Sequence, residues 1–402
     1  MVHGRRKALP LVVALLAAIS SGCPDRSADS DRATEAAQTI KAPVSIEPAG
    51  SPSIEAASPV RIAGAKARLD RHLRRYALMS PDNTWALIHA LLVFPPDTKL
   101  PDHDVTILDA VLSRATTVEI GGRVVPTFTG EAPDGTPREP HSNQVVKILL
   151  GVGVDLDHRF EVDGQSFTVN DLVDSALWRF DPPEDTHWEH ESWTLSALGR
   201  SKTHLEARYF TNYRGRRFDS FELVQRVAEY LNREMEFIEQ ARRTGQPLQK
   251  RREGVHSHPC GGLHLARTPT DWMKSDVGRT VLMPAMRQAA DTLAWRVTAE
   301  HEVYEQTRAE YPEHEIMISA QEMKFYGHWL ETMHDLRLSG VDVDRQSVEH
   351  GISLLVDAVE RLDRIGTFAR MEDVRVRRVQ TYRDLIGDAA HALRGLRVWT
   401  EE

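Results

Sequence analysis

Cysteine is almost missing from this chain: only Cys23 and Cys260 occur in 402 residues. Two thiols cannot make the dense disulfide framework that staples small secreted domains, so the fold must rest on its own core. Long apolar runs are missing after Ile19, and with them any further segment able to span a bilayer. A basic excess is missing too. Lys and Arg number 50 against 59 Asp and Glu, for a net charge of -9. Without residues 1–22, which carry three basic residues and no acidic one, the charge is -12. A body that acidic excludes general nucleic-acid binding.

What is present begins at the N-terminus. Arg5, Arg6 and Lys7 precede an apolar run from Ala8 to Ile19, and Ser20, Ser21, Gly22 and Cys23 follow. The run is short for a permanent membrane helix, and small residues close it, as in a cleaved secretory signal. With a cysteine after the small residues, the segment resembles a bacterial lipoprotein signal, although Ser20 stands where that family usually has Leu. The resemblance implies that residues 1–22 are removed and that Cys23 is acylated as the mature N-terminus. It also implies a cell-envelope location outside the cytoplasm, at the inner or the outer membrane. Cys260 would then have no intramolecular thiol partner, a state that burial or a metal would protect. Residues 23–60 are rich in Ala, Ser, Pro and Glu and offer no apolar cluster, so they are expected to form a flexible tether.

The remaining chain, 61–402, reads as all-α with two short exceptions. Val118–Phe128 holds Gly121-Gly122 between alternating apolar residues, and Arg159–Val169 holds Asp163-Gly164. Both patterns predict β-hairpins. The helices alternate between two kinds. One is amphipathic, as in Val105/Leu108/Val111/Leu112, Val169/Leu172/Val173/Ala176/Leu177, Phe221/Val224/Val227/Ala228/Leu231 and Val348/Ile352/Leu355/Val356/Val359. The other is short and mixes Trp, His, Cys or Gly with apolar residues, with starts near 84, 141, 192, 260 and 326. One inner and one outer helix per unit predicts a ring of helical hairpins, with few charges on the inner helices. The pattern resembles the α/α toroid of terpenoid cyclases, protein prenyltransferase β-subunits and several polysaccharide-active enzymes. A solenoid of helix pairs would give a similar pattern.

The densest chemistry lies at Val255–His264. Pro259 and two glycines interrupt regular structure, so a helix is expected from about Cys260, with Cys260 and His264 on one face. His256 and His258 would fold back toward it. Thiolate and imidazole suit zinc(II), which makes His258, Cys260, His264 and His328 the candidate metal ligands. The spacing matches no standard structural zinc signature, and a lone cysteine beside Gly-Gly also reads as tight helix packing. In the prenyltransferases zinc is held by a cysteine from one inner helix and a histidine from a later one, and Cys260 and His328 resemble that pair. The acidic ligand preceding the cysteine in that family is replaced by His258. Asp342 and Asp344 lack the further acidic pair of a terpenoid cyclase. Glu331 and His334 show the Glu-x-x-His spacing of di-iron sites, but the other match, Glu184 to His187, follows Pro182-Pro183.

Trp85, His89, His141, Asn143, His190, Trp193, His264 and His328 would converge on the axis of such a ring. Aromatic faces beside Asn and His suit a polysaccharide or peptide-like ligand, with Trp85, His89, Asn143 and Trp193 as binding residues. His264, His328 and His190 are the catalytic candidates. Toroid lyases also use Tyr and Arg, for which Tyr209, Tyr213 and Arg214 are the nearest match. Simple packing accounts for the same residues. Lys66, Arg68, Arg71, Arg74 and Arg75 form a basic stretch that is either a solvated face or a rest on anionic lipid. Three functions stay open: a lipid-anchored binding protein, a polysaccharide-active lyase or hydrolase, and a zinc-dependent enzyme. The separation of His264 and His328 discriminates chemistry from packing.

Overall fold

The computed structural model describes residues 56–131, 138–139, 141–183, 188–201, 205 and 207–401. The signal, Cys23 and the tether up to residue 55 lie outside the described residues. The fold is all-α with small β-hairpin insertions. Helix α1 (Pro59–Tyr76) begins inside the expected tether, because Ser58 caps it and Pro59 supplies a helix-ready φ at its first position. Its basic residues are largely matched within the chain: Lys66 pairs with Glu401, Arg68 with Asp363 and Arg74 with Asp70.

The other helices are α2 (Thr84–Ala90), α3 (Ile107–Leu112), α4 (Gln144–Gly151), α5 (Val169–Arg179), α6 (Glu191–Arg200) and α7 (Ser220–Glu234). They continue with α8 (Glu236–Thr244), α9 (Leu263–Trp272), α10 (Asp276–Glu310), α11 (Glu315–Leu338), α12 (Arg345–Arg364), α13 (Met371–Arg377) and α14 (Val379–Thr400). No helix among the described residues is long and apolar enough to cross a membrane.

Packing sorts these helices into two layers. In the inner row α4 packs on α6, α6 on α9, α9 on α11, α11 on α14, and α14 on α2. The outer helices cover it: α3 lies on α2, α5 on α4 and α6, and α7 on α9. Helix α10 lies on α9 and α11, α12 on α11, and α1 on α14. Inner and outer helices therefore alternate along the chain, as the periodicity predicts. The sixth inner helix, α14, adds a unit that the spacing of starts did not announce.

Both expected hairpins are present. Strand β1 (Thr116–Ile120) pairs antiparallel with β2 (Arg123–Thr127), and β3 (Arg159–Val162) with β4 (Gln165–Thr168). Their turns, Gly121-Gly122 and Asp163-Gly164, have positive φ at both central positions, the geometry that matches strand twist. A third pair, β5 (Tyr209–Thr211) with β6 (Arg217–Asp219), was not expected. Its long loop, crowded with arginine, hides the hairpin signal. It also places Tyr209 and Arg214 in solvent, where Arg214 pairs with Asp181.

Candidate functional site

The site is built around an irregular entry to α9. Gly254–Ser257 and Pro259–Gly262 form two short 3₁₀ turns rather than the first turn of the expected α-helix. Cys260, Gly261 and Gly262 are consecutively left-handed, with φ of 53, 62 and 74°. For a cysteine this region is strained, and such strain persists only where surroundings enforce it. The glycines are needed for space as well as for φ. A Cβ on Gly261 would sit 2.6 Å from Arg296 Nη2, and one on Gly262 would sit 2.2 Å from Val255 Cγ2.

This loop delivers Cys260 to two histidines on the inner helices. One donor atom each from Cys260, His264 and His328 lies within 4.8 Å of the other two. His264 in α9 and His328 in α11 meet edge to face, with ring centroids 4.7 Å apart. A tetrahedral zinc site has donor–donor edges of about 3.4 Å, so the three donors lie near, but outside, ligand spacing. Both histidines are buried, and Nδ1 of each has no hydrogen-bond partner. Burial, then the neighbouring imidazoles, holds both well below the ordinary histidine range. They are therefore neutral, the form that ligates metal.

The imidazoles continue along the inner row of helices. His328 and His391 of α14 lie 3.7 Å apart, and His391 and His89 of α2 lie 5.4 Å apart. On the other side His141 is 6.4 Å from His264 and stacks on Trp193 at 4.3 Å, while Trp193 lies 4.2 Å from His264. Burial pushes His89 and His141 down to about 3. His89 holds the carbonyl of Trp85 through Nδ1 at 2.7 Å. Lys147 of α4 lies 4.1 Å over the Trp193 ring, buried and with no hydrogen bond from Nζ. Burial, then Arg267 and Arg200, holds its ammonium pKa well down.

Glu331 supplies the negative charge. Burial alone would raise its pKa, but His391 and Arg267 outweigh that and hold it well below the carboxylate range. His391 Nδ1 lies 2.7 Å from Glu331 Oε2, and Arg267 donates to the same oxygen at 2.9 Å and to Asp335 at 2.8 Å. Ionised Glu331 thus orients His391 as a carboxylate orients a catalytic or metal-bound imidazole.

Two clefts flank this core. One, of about 240 Å³, lies at the C-terminal ends of α4, α6, α9, α11 and α14, with Arg200, Asp271, Glu331, Asp335 and Arg394 in its wall. The other, of about 180 Å³, lies at the N-terminal ends of α4 and α6 and is lined by Asn143, Arg179, His190 and Thr194.

The structure thus joins Cys260, His264 and His328, and extends the cluster to His89, His141 and Trp193. His258 turns away from the donor set, with Nε2 3.1 Å from Glu234 and 3.2 Å from Tyr230. His190 is exposed at the second cleft, 6.3 Å from His141. Asn143 bonds Thr194 and Arg179 there. Trp85 is half-buried and donates to the Arg383 carbonyl. His334 lies in the wall of the first cleft, which Glu331 also lines. Sequence reasoning missed His391, Arg267 and Lys147. The signal for His391 was one histidine on each of several inner helices. A further group, His301, Glu305 and Glu322, is neutralised by Arg308 and Arg361. No family model matches this chain, and no curated protein or solved structure matches it either.

Proposed function

We propose that this chain is a metal-dependent enzyme of the cell envelope, tethered through an acylated Cys23, with zinc(II) held by Cys260, His264 and His328. The observation that carries the reading is the convergence of these three donors at a cysteine held in a left-handed backbone. The residues fit the ion: one sulfur and two neutral imidazoles are a zinc donor set, and Cys260, His264 and His328 would hold it. Zinc held there would supply Lewis acidity toward a bound polar group.

The chain's own residues do the rest. Arg267 keeps Glu331 ionised, and Glu331 fixes the proton of His391 on Nδ1, which leaves Nε2 as a proton acceptor beside His328. The packed imidazoles of the inner row favour a compact ligand over a threaded polymer. A cleft of about 240 Å³ accommodates one monomer-sized group, so a polysaccharide or peptide would be taken at its end or as a fragment.

The test is metal content. Purified protein is expected to carry one equivalent of zinc. Cys260→Ala, His264→Ala and His328→Ala should each remove it while helicity by circular dichroism is kept. Wild-type protein that is metal-free after purification and after zinc reconstitution refutes the reading and leaves Glu331–His391 as a metal-free acid–base pair.

A further inference from the structure

The Cys260 turn cannot hold its conformation by itself, and the surrounding structure shows what holds it. Arg296, on outer helix α10, donates from Nη1 to the Gly261 carbonyl at 2.7 Å. Its Nε donates to Glu300 Oε1 at 3.0 Å, one helical turn along. Glu300 is fully buried and gathers two more groups from the segment leading into the turn. Lys250 Nζ lies 2.5 Å from Oε2, and His256 Nε2 lies 3.1 Å from Oε1. One carboxylate therefore ties down both ends of the segment 250–261, directly at Lys250 and His256 and through Arg296 at Gly261. The fit is tight, since the Arg296 guanidinium fills the space that a Gly261 side chain would need.

Burying this network is costly. Arg296 and Glu300 are almost inaccessible, and a buried pair of this kind contributes little net stability over apolar packing. Its effect is geometric. A left-handed Cys260 is disfavoured by sterics, and the carbonyl-to-guanidinium bond next door selects it. In that conformation the cysteine sulfur lies within 4.8 Å of a donor nitrogen of His264 and of His328.

We infer that Arg296 and Glu300 form a positioning device that presents the Cys260 thiolate to the metal. The inference deepens the zinc reading and rests on it. Neither residue is a ligand, since the pair acts through the backbone of Gly261. Outer-shell partners of this kind change metal affinity by roughly 10- to 100-fold, and the same range is expected here.

The experiment uses the full chain with cobalt(II) as probe, because a cobalt–thiolate bond gives a charge-transfer absorption that reports the sulfur ligand itself. Wild-type protein should show that band. Arg296→Lys keeps the charge beside Glu300 but loses the forked reach to Gly261. It should bind zinc about tenfold or more weakly in a chelator competition and show a diminished thiolate band, with unchanged far-ultraviolet circular dichroism. His256→Gln, a milder change at the edge of the network, should shift both readouts in the same direction by less. It serves as the deciding variant if Arg296→Lys does not fold. A wild-type band with equal affinity and equal band in the folded variants overturns the positioning role and leaves the metal site standing. Absence of any cobalt or zinc binding by wild-type protein overturns both.

Discussion

A close crossing of α11 and α14 brings His328 beside His391, and one methyl group tests it. Gly327 of α11 faces the backbone of α14. A Cβ there would lie 2.8 Å from the Ala392 nitrogen, 2.9 Å from Ala392 Cα and 3.1 Å from the His391 carbonyl carbon. Neither side can yield by rotating a side chain, so the helices must separate by roughly 0.5–1 Å to restore van der Waals contact. Overpacking of this kind costs about 1–3 kcal/mol, and a rigid backbone-to-backbone clash belongs at the upper end. The glycine-to-alanine gain in helix propensity returns about 1 kcal/mol. Gly327→Ala is therefore expected to destabilise the protein by about 2 kcal/mol. Gly64 in α1 supplies the opposite case, because its Cβ would meet only the mobile end of Arg68 at 3.1 Å. There Gly64→Ala should stabilise by up to about 1 kcal/mol. Urea titrations followed by circular dichroism, with an unchanged slope, measure both. The positions flanking the crossing are His328 and His391, so Gly327→Ala should also weaken zinc binding. Equal or greater stability for Gly327→Ala would refute the close approach of α11 and α14.

Two further outcomes are expected. His72, buried between Tyr76 and Phe368, is pushed down by burial to about 4 from 6.5. Its contribution is complete above pH 6.5 and is lost as pH falls toward 4, about 3 kcal/mol in all, so His72→Leu should flatten the acid limb of a stability-versus-pH curve; an unchanged limb would place the acid sensitivity elsewhere. Cys23→Ser should release the protein from the membrane fraction or arrest its processing, as read by fractionation and mature mass, and unaltered attachment would remove the lipid anchor.

The parts of this architecture that were legible are those whose chemistry is local. Gly121-Gly122 and Asp163-Gly164 announce their hairpins because two adjacent positive φ values require such residues. The alternation of Val348/Ile352/Leu355-type helices with Trp- and His-bearing ones announces two layers, because an outer helix must keep one wet face. The approach of His264 to His328 followed from placing both on inner helices. What stayed hidden depends on long-range pairing. Arg267, Glu331 and Lys147 are charged residues on inner helices, against the expectation that such helices tolerate few charges. Arg267 and Glu331 are tolerated because each finds the other across α9 and α11, a pairing that no spacing in one segment encodes. His391 was hidden because α14 otherwise reads as an ordinary helix, and its histidine gains meaning only beside Glu331. The start of α9 was misplaced because three left-handed residues occupy the turn where helical phasing put Cys260 and His264 on one face.

That misplacement bears on the choice between packing and chemistry. A core built for stability alone would avoid every feature found at the axis. Neutral imidazoles at His264 and His328 leave buried nitrogens without partners, Lys147 buries an amine against Trp193, and Cys260 adopts a backbone that its own side chain disfavours. Each is a cost of order 1–3 kcal/mol in a fold whose total margin is about 5–15 kcal/mol. Apolar residues of similar size would remove those costs and keep the helices packed. The strained cysteine and the two buried imidazoles occur together, with one donor atom of each within 4.8 Å of the others. Hydrophobic burial alone does not produce that coincidence. The metal bond proposed above would engage the sulfur and one nitrogen of each imidazole at once and offset the strain that brings them together.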